Sequence, residues 1–313
     1  MEARPADVAR SWRHLAPRLA LVVLLAAMLA WAALPAARAV VLVSSWLHRG
    51  APGEAPTDLP LRPVTFAAAD GVRLAGWFVL AAPNAPTVIL VHGFKGSRAD
   101  MLPWARFLFA AGYNALLYDS RGCGQSAGWG IALGAREADD VVGAVRYVRG
   151  RADLAAHVVG ALGVSLGAGD VLLAAAREPG LAAVVADSAW TDERPQLDRM
   201  GAIRVGPLAL PVLPYEPALV DALIGAPLEA TRPLRVIGAI APRAVLLIHS
   251  ADDGNATTPL AGERALFAAA GVPKAQWIAP SGGHAGALRA HPAEYQRQVL
   301  AFFAAHLGTP AAQ

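Results

Sequence analysis

A regular alternation of short apolar runs with longer segments of helical pattern, between residues 61 and 307, most constrains the fold. Such an alternation predicts a mostly parallel sheet covered by helices on both faces, with ligands bound beyond the carboxyl ends of its strands. Strands are predicted at Pro63–Ala68, Val72–Ala81, Thr87–Val91, Ala115–Tyr118, Val158–Leu162, Ala182–Ala186, Ala244–His249 and Gln276–Ala279. Helices are predicted at Ser97–Ala111, Gly134–Arg149, Leu166–Arg177, Pro259–Ala270 and Pro292–His306. The sequence therefore predicts an α/β domain with an eight-stranded sheet.

Two segments depart from this alternation. Asp70-Gly71 is a turn dipeptide between the first two predicted strands, so the domain is expected to open with an antiparallel hairpin. Residues 190–241 are rich in Pro, Leu and Ala and contain no clear strand. A segment of this length between two core strands is usually functional, and we expect a cap over the carboxyl edge of the sheet; a structural insertion without substrate contact is the alternative.

Composition excludes several classes of protein. Of 313 residues, 55% are hydrophobic and 16% charged, so the chain can bury a large core and is not intrinsically disordered. The formal net charge of +3 comes without a basic run, so no nucleic-acid partner is expected. Cys123 is the only cysteine, which excludes an internal disulfide and a zinc site built on paired cysteines. Neither a metal cluster nor a phosphate-binding glycine loop is recognisable, so no cofactor is expected.

The N-terminal segment, residues 1–48, is predicted to be a transmembrane signal anchor. Leu19 to Leu34 contains no charged residue, and the apolar character resumes from Ala39 to Leu47, which together suffice to cross a bilayer. A cleaved signal peptide is the alternative, because Ala37-Arg38-Ala39 has the small-x-small pattern of a cleavage site. The arginine within that site and the hydrophobic residues after it favour the uncleaved anchor.

The arginine distribution predicts the orientation in the membrane. Four arginines precede the apolar segment, against Arg49 and Arg62 after it, which places the N-terminus in the cytoplasm and the remaining chain outside. Residues 49–60 are rich in Pro and Gly and are predicted to be an extended linker. The globular domain is expected at residues 61–307, with a short tail at 308–313.

Gly163-Val164-Ser165-Leu166-Gly167 is the strongest chemical signal in the chain. It follows the predicted strand Val158–Leu162 and directly precedes a predicted helix. In this context a strained strand-to-helix turn raises the serine hydroxyl above the sheet, and small residues on either side allow close backbone packing. Ser165 is therefore the candidate nucleophile.

A nucleophilic serine needs a base that is oriented by an acid, and in such enzymes the chain order is Ser, acid, His. His284 follows Ser281-Gly282-Gly283 after the last predicted strand, on a flexible loop, and is the candidate base. His291, at the start of the next helix, is the alternative. For the acid, Asp252 and Asp253 follow the strand that ends at His249. Asp187, at the end of an earlier strand, is a third possibility.

Two backbone amides are expected to form an oxyanion hole. Val91-His92-Gly93-Phe94 ends a strand, and its glycine allows the Phe94 amide to point at a substrate carbonyl oxygen. The Leu166 amide, directly after the candidate nucleophile, is the second donor. His92 precedes the serine in the chain and is expected to hold the loop by hydrogen bonds.

Taken together, these motifs resemble the α/β-hydrolase superfamily, in particular its membrane-anchored and serine-aminopeptidase-like branch. The resemblance covers about residues 60 to 307, and it rests on Asp70-Gly71 with Leu74-Ala75-Gly76-Trp77, His92-Gly93-Phe94, Asp119-Ser120-Arg121-Gly122, Gly124, Ser126 and the turn at Ser165. It implies an α/β-hydrolase fold. It also selects Asp253, the fourth residue after His249, as the acid, with Asp252 as the alternative.

The expected function is that of a membrane-anchored serine hydrolase that cleaves a carboxylic ester or thioester through Ser165, His284 and Asp253. The apolar cap and the anchor favour a small-molecule or lipid-like substrate with a hydrophobic acyl group. A peptidase or amidase with the same three residues is one alternative. A catalytically silent, membrane-tethered binding scaffold is another, although such a scaffold has no need of the complete Ser, Asp, His order.

Overall fold

A single mixed sheet forms the centre of the molecule. The computed structural model describes residues 5–44, 53, 55–192, 202–205, 207–211 and 213–310. Its strands are β1 Leu61–Ala67, β2 Arg73–Val79, β3 Thr87–Val91, β4 Asn114–Tyr118, β5 Val159–Val164, β6 Leu181–Asp187, β7 Ala202–Val205, β8 Leu208–Pro211, β9 Ala244–Ser250 and β10 Lys274–Ala279. Eight of them form one sheet in the order β1-β2-β4-β3-β5-β6-β9-β10.

The strand directions agree with the sequence prediction. β2 is antiparallel to both β1 and β4, whereas the other neighbouring pairs of the sheet are parallel. β1 and β2 form the predicted hairpin, and Gly71 in its turn has a φ of 91°, which a glycine adopts without strain. The mostly parallel, eight-stranded sheet is thus confirmed, and the carboxyl ends of β3, β5, β6, β9 and β10 lie at one edge.

Helices flank the sheet close to the predicted positions. They are α1 Pro5–Val43, α2 Leu102–Ala110, α3 Glu137–Arg149, α4 Leu166–Arg177, α5 Glu216–Ile224, α6 Pro233–Val236, α7 Leu260–Ala269, α8 Ala287–Ala290 and α9 Pro292–Leu307. The third helix begins at Glu137 rather than at Gly134, since Gly134 has a φ of 87° and Leu133 a φ of 50°. The Glu137 carboxylate accepts hydrogen bonds from the amides of Ala132 and Gly134, which satisfies the backbone of this turn.

Two apolar layers enclose the sheet because side chains alternate along each strand. In β3, Ile89 and Val91 pack into a layer that includes α3 and α4, whereas Val88 and Leu90 pack into a layer that includes α2 and α9. All four side chains are fully buried. This two-sided burial explains why the strands of the sheet appear in the sequence as continuous apolar runs.

The segment predicted as a cap, residues 190–241, contains regular structure that the sequence did not indicate. β7 and β8 pair as a short antiparallel hairpin, and α5 and α6 follow. Residues 193–201, 206 and 212 of this segment lie outside the described residues, as do residues 45–52 and 54 of the anchor and the predicted linker and 311–313 of the tail.

The first helix combines an exposed apolar portion with a buried end. Residues Pro17–Val43 have a mean hydropathy of 2.4 in their most apolar window and are long enough to cross a membrane. Leu29 on the exposed portion is 71% accessible, whereas Ala39 and Val43 are inaccessible and belong to the layer that contains α3 and α4. The apolar N-terminal helix is therefore continuous with the core of the globular domain.

A buried ion pair secures the loop between β4 and α3. The Arg121 guanidinium donates to Asp140 of α3, with an Nη2–Oδ1 distance of 2.7 Å, and to Asp70 of the first hairpin. Asp140 is inaccessible, and its burial raises its pKa to about 7 although Arg121 opposes the shift. The loop thus has a structural role beside the carboxyl edge of the sheet.

Replacement of Arg121 by Met should lower the free energy of unfolding by about 3–5 kcal/mol, because Asp140 would be left buried without its cationic partner. The exposed pair of Arg106 with Asp58 provides the control, and Arg106→Met should change stability little. Chemical denaturation of the full chain in detergent measures the free energy of unfolding of both variants. Equal small losses in the two variants would contradict the structural role of Arg121.

Candidate active site

The turn between β5 and α4 holds Ser165 in a strained conformation. Its φ is 56° and its ψ is −115°, a region that non-glycine residues rarely adopt. A Cβ atom on Gly163 would lie 2.0 Å from the Gly167 carbonyl oxygen, and one on Gly167 would lie 2.5 Å from the Val91 carbonyl oxygen. The two glycines of the motif are therefore required by close packing, as the sequence predicts for a sharp strand-to-helix turn.

His284 and Asp253 complete a hydrogen-bonded chain that begins at Ser165. The Ser165 Oγ lies 2.8 Å from Nε2 of His284, and Nδ1 of His284 lies 3.0 Å from Oδ2 of Asp253. With the proton on Nδ1, the imidazole donates to the carboxylate and accepts the serine proton at Nε2. The Asp253 side chain is inaccessible and that of His284 is 28% exposed, so only the end of the chain that carries the hydroxyl opens to the cavity.

The alternative candidates lie elsewhere in the hydrogen-bond network. Asp252 Oδ1 accepts a hydrogen bond from the Gly283 amide at 2.9 Å, and its carboxylate thus supports the loop that carries His284. His291 Nε2 lies 3.1 Å from the Ser281 hydroxyl. Of the two adjacent aspartates, the structure brings Asp253 to His284.

Asp187 belongs to a buried polar chain behind the loop of His284. Its carboxylate accepts hydrogen bonds from the Tyr295 hydroxyl at 2.9 Å and the Ser188 hydroxyl at 3.0 Å. The Ser188 oxygen in turn accepts the Ala285 amide at 3.1 Å, and the Trp104 indole donates to Tyr295. Burial raises the pKa of Asp187 to about 6, while its two hydroxyl donors act in the opposite direction. This chain fixes the residue next to His284.

Thr258 is a site residue that the sequence analysis did not single out. Its hydroxyl donates to Asp253 Oδ2 at 3.1 Å and lies 3.0 Å from Nδ1 of His284, and the residue is 2% exposed. Its place directly before Pro259 at the start of α7 is the only local signal, and that signal equally fits a helix terminus. The position of its hydroxyl depends on how the loop after β9 folds back.

His249 lies beside the same carboxylate. Its Nε2 is 3.5 Å from Asp253 Oδ2, and the imidazole is inaccessible. Burial lowers the pKa of His249, whereas the negative charge of Asp253 acts in the opposite direction. The neutral ring packs against the acid without forming a hydrogen bond to it.

The loop after β3 lies next to the serine. Gly93 approaches so closely that a Cβ atom there would lie 3.3 Å from the Cβ of Ser165. The His92 ring accepts the Ser120 amide at Nε2, and its Nδ1 lies 2.8 Å from the Gly93 carbonyl oxygen. Burial lowers the pKa of His92, which favours the neutral ring that this pattern requires. His92 therefore holds the loop, as the sequence analysis expected.

The two amides predicted to form an oxyanion hole flank the same cavity. Leu166 is the first residue of α4, so its N–H is among the four that have no partner within the helix. Phe94 follows Gly93 and is 40% exposed. Both residues line the cavity into which Ser165 opens.

This cavity has a volume of about 470 Å³. Its walls come from seven regions of the chain: the end of α1, the β5–α4 turn, and the loops after β3, β4, β6, β9 and β10. The lining residues are Leu42, Gly93, Phe94, Leu133, Val164, Ser165, Leu166, Trp190, Asn255, Thr257, Thr258, His284 and Ala285. None of these described residues is Asp, Glu, Lys or Arg, so the cavity suits an uncharged, mainly apolar group.

The part of the chain that the structure describes offers no evident metal site. Among the residues with a described position, no group of three or more His, Cys, Asp or Glu side chains could hold a metal ion. The polar groups of the cavity suit proton transfer and hydrogen bonding to a carbonyl compound.

Comparisons with known proteins agree with this architecture. The family model of the X-Pro dipeptidyl-peptidase (S15 family) matches residues 61–209, which include Ser165 but neither Asp253 nor His284. The protein YfhR of Salmonella typhimurium is 29% identical over 264 residues, which cover 79% of this chain and 82% of YfhR. The thiohydrolase aneE of Aspergillus aculeatus is 31% identical over 109 residues, about a third of either chain.

Solved structures share the fold. The esterase Pf2001 of Pyrococcus furiosus superposes with a TM-score of 0.68 at 21% identity, over 83% of this chain and 98% of the esterase. An α/β hydrolase, GrgF of Penicillium, superposes with a TM-score of 0.64 at 23% identity, over 80% of this chain and 99% of GrgF. The similarity to both extends over nearly their whole length.

Replacement of Gly163 by Ala should lower the free energy of unfolding by about 1–3 kcal/mol or more, because the new methyl group would overlap the Gly167 carbonyl. Gly254→Ala is the matched control, since nothing lies within 4 Å of a Cβ atom at Gly254. Thermal unfolding of the two variants in detergent provides the comparison. If the Gly163→Ala protein is as stable as Gly254→Ala, the turn accommodates a methyl group at Gly163 and the close packing does not limit stability.

Proposed function

We propose that this chain, which has the fold of the α/β hydrolases, is a member of that superfamily and a serine hydrolase that cleaves a carboxylic ester or thioester. Ser165 is the proposed nucleophile, His284 the general base and acid, and Asp253 the residue that orients the imidazole. The Phe94 and Leu166 amides are the proposed oxyanion donors.

The observation that carries this proposal is the hydrogen-bonded chain from Ser165 through His284 to Asp253. Its distances are 2.8 Å and 3.0 Å, and its hydroxyl end opens into the apolar cavity. A serine hydroxyl in contact with an imidazole that a buried carboxylate orients is the arrangement needed to activate a serine. A binding scaffold would not require such an arrangement.

Acylation follows from this geometry. The Ser165 oxygen attacks the acyl carbonyl carbon while its proton moves to Nε2 of His284, and the resulting imidazolium is stabilised by Asp253. The negative charge that develops on the carbonyl oxygen is held by the two amides. When the tetrahedral intermediate collapses, the bond to the alcohol or thiol breaks, and the leaving group takes the proton from Nε2.

Deacylation repeats these steps with water. A water molecule gives a proton to Nε2 of His284 and attacks the carbonyl of the acyl-enzyme. The bond to Ser165 breaks, the serine oxygen recovers the proton, and the carboxylic acid leaves. His284 therefore acts as base and acid in turn, and no cofactor is needed in either half of the cycle.

The cavity favours an ester or thioester with an uncharged acyl group. Its described walls carry no permanently charged side chain, whereas Phe94, Leu133, Val164 and Trp190 offer apolar surface. The structural similarity to an esterase and the local sequence similarity to a thiohydrolase support this substrate class.

A peptidase or amidase is the second candidate, because the S15 peptidase model matches the half of the domain that contains Ser165. The same groups can attack an amide, and the difference lies in the protonation of the leaving amine. Comparison of p-nitrophenyl esters with p-nitroanilides of the same acyl groups separates the two candidates. A catalytically silent scaffold would turn over neither.

The apolar helix α1 is the proposed membrane anchor, with the hydrolase domain on the extracytoplasmic side. Arg38 and Ala39, which lie within the potential cleavage site, instead contact the globular domain: Arg38 is 3.4 Å from Glu216, and Ala39 is inaccessible. These contacts support retention of the segment over its removal as a signal peptide.

Replacement of Ser165 by Ala in the full chain should abolish labelling by a fluorophosphonate and reduce ester hydrolysis by about a thousandfold or more, because Ser165 is the proposed acceptor of the acyl group. In-gel fluorescence and p-nitrophenyl ester turnover measure the two effects in detergent. Ser281→Ala, an exposed serine on the loop before His284, is the control and should label as the wild type does. A folded wild-type protein that neither labels nor turns over an ester would refute the proposed function.

Thr258 should act as a positioning residue, since its hydroxyl donates to Asp253 and contacts His284. We expect Thr258→Val to lower kcat by about tenfold with little change in KM, as the loss of one hydrogen bond costs about 1–2 kcal/mol. Thr258→Ser retains the hydroxyl and should restore kcat. If the serine variant is as slow as the valine variant, packing of the threonine methyl rather than its hydroxyl matters.

A further inference from the structure

The last turns of α1 are built into the hydrolase domain. Ala39 and Val43 are inaccessible and pack in one apolar cluster with Val220 of α5, and Arg38 pairs with Glu216 at 3.4 Å. Burial raises the pKa of Glu216, while the positive charge of Arg38 acts in the opposite direction. The apolar portion of the helix is therefore exposed over most of its length, whereas its last turns are buried in the core of the domain.

The end of α1 is also attached to the loop that carries the proposed oxyanion donor. Lys95, directly after Phe94, donates from Nζ to the Val41 carbonyl at 3.3 Å, and the Ile131 amide donates to the Val43 carbonyl at 2.7 Å. The last carbonyls of a helix have no partner within it, so these two donors cap α1. The cap joins the membrane helix directly to the active-site loop.

Leu42 lies between these two attachments and lines the cavity that contains Ser165 and His284. Side chains from the apolar helix and from the catalytic site therefore face the same space. Without α1, the cavity would lose one of its walls, and Ala39 and Val43 would leave the core cluster.

The same helix places the cavity close to a bilayer. Ala37 ends the uncharged run of α1, and Leu42 follows five residues later, about 8 Å along the helix axis. Exposed aromatic side chains lie in the cavity wall and beside α1, between Ala32 and Ser44. Phe94 is 40% exposed in the cavity wall, Tyr215 is 38% exposed and donates to the Ala32 carbonyl, and Trp129 is 55% exposed beside Gly130, which pairs with Ser44. Aromatic residues concentrate at the membrane–water interface.

We propose that α1 is both the membrane anchor and a wall of the acyl pocket, so that the substrate is an acyl ester of a membrane amphiphile that enters from the bilayer surface. Leu42 limits the length of the acyl chain that the pocket accepts. The inference rests on the proposed function, because it assigns a substrate class to the same Ser165 site.

The test uses the full chain in phospholipid vesicles and a series of alkyl fluorophosphonates from short to long chains. Leu42→Trp narrows the pocket and should lower the labelling rate of the longest reagent, relative to the shortest, by about tenfold or more. Leu42→Ala should shift the preference towards longer chains. Leu29→Trp and Leu29→Ala make the same changes on the exposed portion of α1, where the side chain is 71% accessible, and should leave the ratio unchanged.

A second arm tests entry from the bilayer. A long-chain acyl ester is placed either in the vesicles that contain the protein or in separate vesicles mixed with them. Substrate in the same bilayer should be hydrolysed at least about tenfold faster, because the shared membrane raises its effective concentration at the pocket. Equal rates would overturn entry from the bilayer.

The outcomes separate the two proposals. If the shortest reagent labels the wild type but not Ser165→Ala, and Leu42→Trp leaves the chain-length ratio unchanged, the serine hydrolase stands and the helical wall is wrong. If no reagent labels the folded wild type, the proposed function fails and this inference fails with it. If the ratio of long-chain to short-chain labelling changes in the Leu42 variants but not in the Leu29 variants, the result supports α1 as a wall of the pocket.

Discussion

Close backbone packing around the β5–α4 turn is the constraint on which the site depends. Gly167 lies so near the end of β3 that a Cβ atom there would meet the Val91 and His92 carbonyls at 2.5 and 2.6 Å. This contact brings the loop of Phe94 beside Ser165, and the same turn starts α4, whose first residue, Leu166, lines the cavity. The positive φ of Ser165 is strained, and such strain persists only where the surrounding structure determines it. Here the sheet supplies that support, since the Ser165 amide donates to the Asp187 carbonyl at 2.8 Å.

Polar groups hold the histidine loop from two sides. On one side, Tyr295 and Asp187 position Ser188, which accepts the Ala285 amide. On the other side, Asp252 accepts the Gly283 amide. The imidazole between them has little freedom to turn away from Ser165, because both neighbours of His284 in the chain are fixed. As the proposed base, a preorganised imidazole of this kind loses little conformational freedom when a substrate binds. The adjacent aspartates thus have different roles: Asp252 supports the loop, and Asp253 contacts the imidazole ring.

The N-terminal helix joins an exposed apolar segment to the candidate active site. Its exposed portion has the length and hydropathy of a span, yet its last turns are core residues and a cavity wall. A flexible tether would allow the domain to rotate freely above a bilayer. The buried contacts of Ala39 and Val43, together with the cap formed by Lys95, instead define one direction of the helix relative to the cavity. The proposed anchor and the cavity therefore share a structural element, which is a physical reason to propose a substrate that partitions into lipid.

Sequence periodicity determined the α/β architecture, the mostly parallel sheet and the sharp turn at Ser165, because these depend on local patterns of apolar residues and glycines. It also placed Asp252, Asp253 and His284 after strands, and hence at one edge of the sheet. The choice between the two aspartates, the hydroxyl of Thr258 and the hairpin of β7 and β8 were decided by the tertiary structure. Each depends on how a loop folds back over the sheet, and no local pattern specifies that path. The same holds for α1: the sequence shows an apolar helix, but only packing decides which of its turns remain exposed and which join the core and line the cavity.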